Sequence, residues 1–95
     1  MAGISQTIVK LQSGKMEEVT KYIDEQAHLV NATEGMIGFA VAVTAEDELT
    51  VTGIFERTQN AHDAAETVAK VFAGMASSMA APPDRQVFSG VWFGS

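Results

Sequence analysis

The chain has 95 residues, with 12 acidic and 6 basic side chains and no cysteine. This length predicts a single domain over residues 1–95, and the lack of cysteine excludes disulfides, thiolate metal sites and a cysteine nucleophile. The net charge of -6 and the scattered basic residues argue against binding to nucleic acid or to an anionic membrane surface. The N-terminus has no basic leader before an apolar stretch, and no apolar run approaches the roughly 20 residues that span a bilayer, so we expect a cytoplasmic protein.

The first half of the chain predicts a strand, a helix and two further strands. Residues 4–11 are rich in β-branched side chains and predict a strand. In residues 16–30, apolar side chains recur at intervals of three and four, which is typical of one face of a helix. Residues 36–44 and 49–56 are short runs of apolar and β-branched residues, and they predict two strands joined by a charged hairpin turn.

The second half predicts another helix and a closing strand. Residues 61–79 carry an apolar helical stripe, and Asn60 is the predicted N-cap of that helix. The Pro82-Pro83 pair ends it, because proline lacks the amide hydrogen and clashes with the preceding turn. Residues 86–93 predict the last strand. The order β-α-β-β-α-β predicts an α+β, ferredoxin-like domain with a four-stranded antiparallel sheet and both helices on one face.

The face of the sheet without helices predicts self-association. In the closing strand, Val87, Val91 and Phe93 oppose Phe88 and Trp92, so both sides of this strand are apolar. The second predicted strand is also apolar on both sides, with Ile37, Phe39, Val41 and Val43 opposite Met36, Ala40 and Ala42. A strand that is apolar on both faces is expected to be buried on both faces, and two helices cover only one. We therefore expect a homodimer that packs sheet against sheet.

Three features of the sequence together resemble one known superfamily. These are the order of the elements, the glycine-containing start of the second strand at residues 35–39, and a third strand at residues 49–56 that ends on Glu56 before a helix. Over nearly the whole chain they are similar to the antibiotic biosynthesis monooxygenase superfamily. The resemblance implies a dimeric α+β barrel with a cavity between sheet and helices, and the oxidation of quinols or polyketide aromatics without a metal or an organic cofactor.

The chain departs from that superfamily at two places. Members often carry an aromatic residue two positions after the strand-ending glutamate, where this chain has Thr58. Many also carry a histidine well inside the second helix, and relatives that degrade haem need it as an axial ligand. The corresponding stretch here, residues 69–72, contains no histidine. The resemblance therefore implies no haem and no other cofactor for this chain.

Glu56 and His62 are the candidate catalytic residues. Glu56 ends the third strand on the side of Thr52 and Ile54, where a carboxylate at a cavity mouth can act as a base or orient a phenolic hydroxyl. Its alternative role is to pair with an arginine or to cap the next helix. His62, in the first helical turn, can shuttle a proton at the open end of a cavity, and its alternative is simple exposure to solvent. His28 and His62 lack the spacing of metal ligands, so no metal site is expected.

A second group of residues is expected to contact a small apolar or aromatic ligand. Phe39 and Phe72 are candidate cavity walls, although apolar stripes of this kind also form ordinary protein core. Trp92 is the single tryptophan, and its indole can either stack on a planar substrate or anchor the dimer interface. The predicted substrate-binding residues are Phe39, Thr52, Ile54, Phe72 and Trp92.

Two functions fit these predictions. The first is a cofactor-independent monooxygenase acting on a small aromatic or quinol, which rests on the resemblance and on an apolar pocket with few polar groups. The second is a non-catalytic dimer that binds a small apolar molecule or serves as a stress-related partner. The scarcity of polar groups facing the predicted pocket favours this second function.

Overall fold

The computed structural model describes residues 1–94 and shows a four-stranded antiparallel sheet with helices packed on one face. The elements are β1 Ala2–Lys10, α1 Met16–Asp24, α2 Leu29–Ala32, β2 Met36–Ala45, β3 Glu48–Phe55, α3 Thr58–Asp63, α4 Ala65–Ala73 and β4 Asp84–Gly90. The strand order is β2-β3-β1-β4, so β1 and β3 lie in the middle of the sheet. This arrangement confirms the predicted α+β, ferredoxin-like fold. Among the helices of residues 1–94, none has the length and apolar character that crossing a lipid bilayer requires.

The helix predicted for residues 16–30 is divided into α1 and the short α2. Between Gln26 and Asn31 the backbone hydrogen bonds connect residues three apart, as from Gln26 N–H to the Ile23 carbonyl (2.9 Å) and from Leu29 N–H to the Gln26 carbonyl (3.0 Å). The side-chain amide of Gln26 donates to the Tyr22 carbonyl (3.3 Å), which the backbone N–H of Gln26 would reach in a continuous α-helix. This tighter winding separates the two helices and sets the position of α2 over the sheet.

The helix predicted for residues 61–79 begins earlier and is broken at Ala64. α3 starts at Thr58, so the predicted N-cap Asn60 lies inside this helix. The Arg85 side chain on β4 donates from Nη2 to the Ala61 carbonyl (2.8 Å), close to the break. Burial lowers the pKa of Arg85, because it removes water from the charged guanidinium. A side chain of the sheet therefore holds α3 in place.

The closing strand ends earlier than the sequence predicts. β4 covers Asp84–Gly90, whereas the predicted strand covered residues 86–93. Its neighbour β1 begins at Ala2, which pairs with Gly90, so β1 offers no backbone partner to residues 91–93. Trp92 is 40% exposed and lies beyond the strand. The apolar side chains of residues 91–93 therefore add to neither face of β4.

The helix-facing side of the sheet carries the protein core. Alternate residues of β1 and β3 are buried there, as the two-residue period of a strand requires. Val9, Leu49 and Phe72 belong to the larger core cluster. Phe55 forms a second cluster with Ala61 at α3. Along β3, Leu49, Val51, Gly53 and Phe55 alternate with the residues of the other face and lie on this helix-facing side.

The opposite side of the sheet, called here the open face, is less apolar than the sequence predicts. The central strand β1 presents Ile4 and Ile8 there on either side of the exposed Gln6. On the neighbouring strand β4, Gln86 pairs with Gln6 and Phe88 pairs with Ile4. Apolar and polar side chains therefore share the open face, in place of the continuous apolar surface expected.

The expectation for the second strand is also corrected at Met36. This residue is predicted to lie on the same side of the strand as Ala40 and Ala42. The pairing of β2 with β3 is irregular between Met36 and Gly38, and such an irregularity reverses the direction of the preceding side chain. Met36 consequently packs with the core cluster around Phe55 on the helix side.

Candidate functional site

A cavity of about 70 Å³ lies between the helix-facing side of the sheet and the helices. Strands β1, β2 and β3 contribute its floor, and helices α1, α2 and α4 contribute its walls. The lining is mostly apolar, and every member lies within a helix or strand except Gln26, which lies between α1 and α2. The cavity is lined by Ser5, Thr7, Ile23, Gln26, Leu29, Met36, Phe39, Val51, Gly53, Val68, Val71 and Phe72.

Two hydroxyl side chains lie on the floor of this cavity. Ser5 and Thr7 of β1 are only 6% and 2% exposed. They are two residues apart on the same face of one strand, so their side chains are separated by roughly 7 Å. Within residues 1–94 neither hydroxyl has a hydrogen-bond partner. The floor therefore offers two free hydrogen-bonding groups in apolar surroundings.

Gly53 makes room for one of these hydroxyls. It is the register partner of Ser5 on the neighbouring strand β3. A Cβ atom at position 53 would lie 2.7 Å from Ser5 Oγ and 3.1 Å from Phe55 Cε1, which is closer than a real Cβ is usually found. The glycine thus allows the Ser5 hydroxyl to lie over β3, at the bottom of the cavity.

The walls of the cavity differ in how firmly they are held. The Tyr22 hydroxyl donates to the Val71 carbonyl (2.8 Å) and so connects α1 to α4. Gly74 permits this contact, because a Cβ there would collide with the Tyr22 hydroxyl. In contrast, α2 is only four residues long, and its Leu29 is half-buried. A single helical turn has little stability of its own, so α2 is the wall that most easily moves.

The cavity is small for an organic ligand. Its volume of about 70 Å³ has room for water, whereas an engineered cavity that holds benzene is about 150 Å³. A ring-sized ligand must therefore displace part of the lining. Leu29 lies on the short α2, and Met36 is an unbranched side chain with several rotatable bonds. We identify these two half-buried residues as the part of the wall that yields.

The structure separates the predicted substrate-binding residues into two groups. Phe39 and Phe72 line the cavity, from β2 and α4. Thr52 and Ile54 lie on the open face, because they alternate along β3 with the helix-facing Gly53. The cavity therefore brings the two phenylalanines together and leaves the other two residues on the far side of the sheet.

The remaining predicted site residues lie outside the cavity. Glu56 is exposed just after β3, and its backbone N–H donates to the Gly35 carbonyl (2.8 Å). His62 is exposed on α3, and Trp92 follows the end of β4. None of these three side chains lines the cavity. The roles predicted for them stay predictions.

Sequence reasoning missed the two floor hydroxyls. The signal that points to them is the alternation of β1, in which Ser5 and Thr7 have the same parity as the apolar Val9. Polar residues on the core face of a central strand are unusual enough to mark a site. Sequence reasoning gave weight instead to aromatic and titratable side chains.

The cavity supplies hydrogen bonding and apolar contact, and no acid or base. No aspartate, glutamate, histidine, lysine, arginine or tyrosine is among its lining residues. Within residues 1–94 there is also no group of three potential metal ligands of the histidine or carboxylate type. In a reaction in this cavity, any proton donor or acceptor must therefore come from the ligand or from groups outside the cavity lining.

No protein-family model and no curated protein matches this chain. Solved structures do match it. A candidate antibiotic biosynthesis monooxygenase from Nitrosomonas europaea superposes with a TM-score of 0.77 at 13% identity, over 96% of this chain and 91% of that one. SnoaB, a cofactor-independent oxygenase from Streptomyces nogalater, gives 0.74 at 5% identity, over 97% and 95%. This chain has the same fold as these two proteins.

The same fold is found in a protein that binds haem. MhuD from Mycobacterium tuberculosis, a haem degrader with two haems in its active site, gives a TM-score of 0.67 at 20% identity, over 98% of this chain and 99% of that one. The cavity of the present chain does not fit a haem. It is far smaller than a macrocycle and is lined by no histidine, cysteine or tyrosine to ligate the iron. At these identities the comparisons establish the fold and leave the chemistry to the site.

Proposed function

We propose that this protein binds a small planar aromatic molecule bearing hydroxyl groups in the cavity and oxidises it with molecular oxygen, without a cofactor. The observation that carries the proposal is the cavity itself, apolar on its walls with a few polar groups on its floor. The fold shared with SnoaB, a cofactor-independent oxygenase, supports the same class of reaction as an analogy.

The walls suit an aromatic ring. Phe39 and Phe72 provide aromatic surface, and Ile23, Val51 and Val68 provide aliphatic surface around it. Burial of apolar ligand surface contributes about 25 cal/mol per Å². Displacement of Leu29 and Met36 reduces that gain, so affinity depends on how readily α2 moves.

The reaction needs no external reductant, because the substrate supplies the electrons. One atom of O2 becomes a carbonyl oxygen at a ring carbon, and the other leaves as water. The two hydrogens of that water come from the ring carbon and from a hydroxyl group of the substrate, which itself becomes the second carbonyl. A quinol that loses only its two hydroxyl hydrogens yields the quinone and hydrogen peroxide instead. The protein's contribution is to hold the ring in a dry site with its hydroxyl groups oriented.

Glu56 and His62 remain the proposed proton-transfer residues. Neither side chain lines the cavity, so these roles require a ligand that carries a further hydroxyl group outside the cavity. The variants E56Q and H62Q are then expected to lower kcat by about 100-fold while ligand binding is retained. An unchanged kcat in either variant removes that residue from the mechanism.

A homodimer through the open face belongs to the same proposal. Ile8 and Phe88 are large apolar side chains of the open face that are 41% and 47% exposed. Packing of one sheet on its copy would bury both, together with the neighbouring Ile4 and Ile54. The expected assembly is a dimeric α+β barrel with one cavity in each subunit.

Oxygen consumption with a panel of dihydroxynaphthalenes and other quinols is the direct test. We expect turnover above the buffer rate, and we expect Val51→Phe to abolish it by filling the cavity. Val43→Phe is the matched control, because Val43 is 64% exposed on β2 and does not line the cavity. Rates equal to those in buffer with every compound would overturn the proposed oxidation.

A second function is favoured by the absence of titratable side chains from the cavity lining. On this alternative the protein is a non-catalytic dimer that binds a small apolar molecule or serves as a stress-related partner. It predicts saturable binding of the same aromatic compounds without oxygen uptake. Binding that is lost in Val51→Phe, together with no turnover in the unsubstituted protein, would favour the alternative over the oxygenase.

A further inference from the structure

We infer that Ser5 and Thr7 form a recognition pair for two oxygen atoms of one planar, uncharged ligand. The pair lies on the floor of the cavity described above, facing its aromatic and aliphatic walls. This inference rests on the proposed function, because it concerns the ligand of the same cavity, and it assigns the residues that select that ligand.

The first support is the burial of the two residues. Both residues are more than nine-tenths buried, but within residues 1–94 the only fully buried side-chain polar atom without a partner is Arg85 Nε. The Ser5 and Thr7 oxygens are therefore open to the cavity, where a ligand or water can satisfy them. Within residues 1–94 neither forms a hydrogen bond. Alanine or valine would fill these core positions without a polar group to satisfy. The hydroxyls are therefore best explained by what enters the cavity.

The second support is the shape of the floor between the strands. Phe39, Gly53 and Ser5 are register neighbours and form one row across β2, β3 and β1. The next row contains Val51 and Thr7. Gly53 has no side chain, and Ser5 Oγ and the Phe55 ring occupy the space where its Cβ would lie. The Ser5 hydroxyl therefore lies over β3, in the row that contains Phe39.

The spacing of the pair indicates the class of ligand. Hydroxyls on alternate residues of one strand are roughly 7 Å apart. The two oxygens of a 1,4-dihydroxy ring are about 5.5 Å apart, so with hydrogen bonds of about 2.8 Å one ring can bond to both hydroxyls at once. A serine or threonine hydroxyl both donates and accepts. The pair therefore accommodates a ring with two hydroxyls as well as the same ring with two carbonyls. No charged side chain lines the cavity, so an ionised ligand is disfavoured.

The test compares two ligands of the same shape under anaerobic conditions. 1,4-dihydroxynaphthalene carries two hydroxyls, and 1,4-dimethylnaphthalene replaces them by methyl groups. Isothermal calorimetry on the full chain should show at least about tenfold tighter binding of the dihydroxy compound. In the double variant Ser5→Ala, Thr7→Val, that preference should fall to about twofold or less, while binding of the dimethyl compound is retained or improved.

Matched variants separate recognition from folding. Thr67→Val makes the same chemical change at an exposed position of α4 outside the cavity, and it should leave the preference intact. Thr7→Val alone preserves the shape of the side chain, so its melting temperature should equal or exceed that of the unsubstituted protein. If the double variant does not fold, Thr7→Val alone decides, with an expected preference reduced by at least about threefold.

The outcomes distinguish this inference from the proposed function. Equal binding of the two compounds, or a preference that survives both substitutions, overturns the recognition pair and leaves the aromatic site standing. Binding of neither compound overturns both proposals. Loss of preference in the double variant alone, with Thr67→Val unchanged, supports the pair.

Discussion

Gly53 is the residue on which the floor of the cavity depends most directly. We expect Gly53→Ala to lower the free energy of unfolding by about 1–3 kcal/mol, because its new Cβ would overlap Ser5 Oγ and crowd Phe55. Adding Ser5→Ala should restore part of the loss, since Oγ is the nearest atom to the new methyl group. Urea denaturation of the single and double variants measures both effects.

Gly38→Ala is the control for that experiment. Gly38 lies on β2 of the same sheet, and a Cβ there would have no atom within 4 Å. Its substitution should change stability by less than about 0.5 kcal/mol. An equal loss at both glycines would show that backbone effects, and not contact with Ser5, account for the result at Gly53.

Arg85 allows a second prediction at a single residue. Its guanidinium holds the Ala61 carbonyl at 2.8 Å, while its buried Nε has no partner within residues 1–94. We expect Arg85→Met to lower the free energy of unfolding by about 1–2 kcal/mol, through loss of a charged hydrogen bond. Arg85→Lys retains one donor and should lose less.

The measurement for Arg85 is again the unfolding free energy, taken at several pH values. The pKa of Arg85 is lowered by burial but belongs to a guanidinium, so the folded state keeps its charge throughout the physiological range. For a base whose pKa is lowered by folding, the unfolding free energy rises with pH only as the pH approaches that pKa. The difference in unfolding free energy between the unsubstituted protein and the Arg85 variants should therefore be constant between about pH 5 and pH 9. A difference that changes within this range would contradict the assignment.

Among the elements, we expect α2 to limit ligand entry, because the ligand must displace it. We expect Leu29→Ala to lower the free energy of unfolding by about 1–3 kcal/mol, and also to tighten binding of 1,4-dimethylnaphthalene by about threefold or more, because the ligand no longer displaces this side chain. Val30→Ala is the control. Val30 is half-buried on the same helix and does not line the cavity.

Calorimetry and denaturation on the two variants give the answer together. Both should be less stable than the unsubstituted protein, and only Leu29→Ala should bind the ligand more tightly. Equal affinity in all three proteins would mean that α2 does not restrict the cavity. The route of entry would then have to lie elsewhere.

The faces of strand β3 could be predicted from the sequence, and the break in the first helix could not. Strand β3 could be predicted face by face, because Leu49, Val51 and Phe55 follow a strict two-residue period. The break after α1 could not, since it involves the Gln26 amide competing for the Tyr22 carbonyl, which apolar spacing does not report. Helical periodicity describes a face, and side-chain hydrogen bonds decide whether the helix continues.

The site was predictable to a similar degree. Phe39 and Phe72 could be predicted as cavity walls from their apolar stripes, and both line the cavity. Ser5 and Thr7 could not be predicted as site residues, because no sequence motif distinguishes them from other hydroxyl residues on a strand. Their significance appears only when burial and the missing partners are known, and both depend on the folded chain.

For the whole molecule, the proposed homodimer depends on the open face. We expect Phe88→Asp to convert a dimer into a monomer, because Phe88 is 47% exposed beside Ile4 in the patch that a second sheet would cover. A charge buried between two sheets without a partner is strongly unfavourable. Sedimentation equilibrium at micromolar concentration measures the change.

Val43→Asp provides the matched control for assembly. Val43 is also exposed and apolar, but it lies on the helix-facing side of β2. This variant should remain dimeric. A monomer for the unsubstituted chain would contradict the dimer, and loss of the dimer in both variants would indicate a general effect of the added charge.

The central claim is that the ligand enters the space between sheet and helices, and methyl NMR during anaerobic titration with 1,4-dihydroxynaphthalene tests it most directly. If the ligand binds there, the methyl resonances of Ile23, Leu29 and Val51 should shift with ligand concentration, because these side chains line the cavity. Shifts confined to Ile8 and Ile54, on the open face, would contradict it.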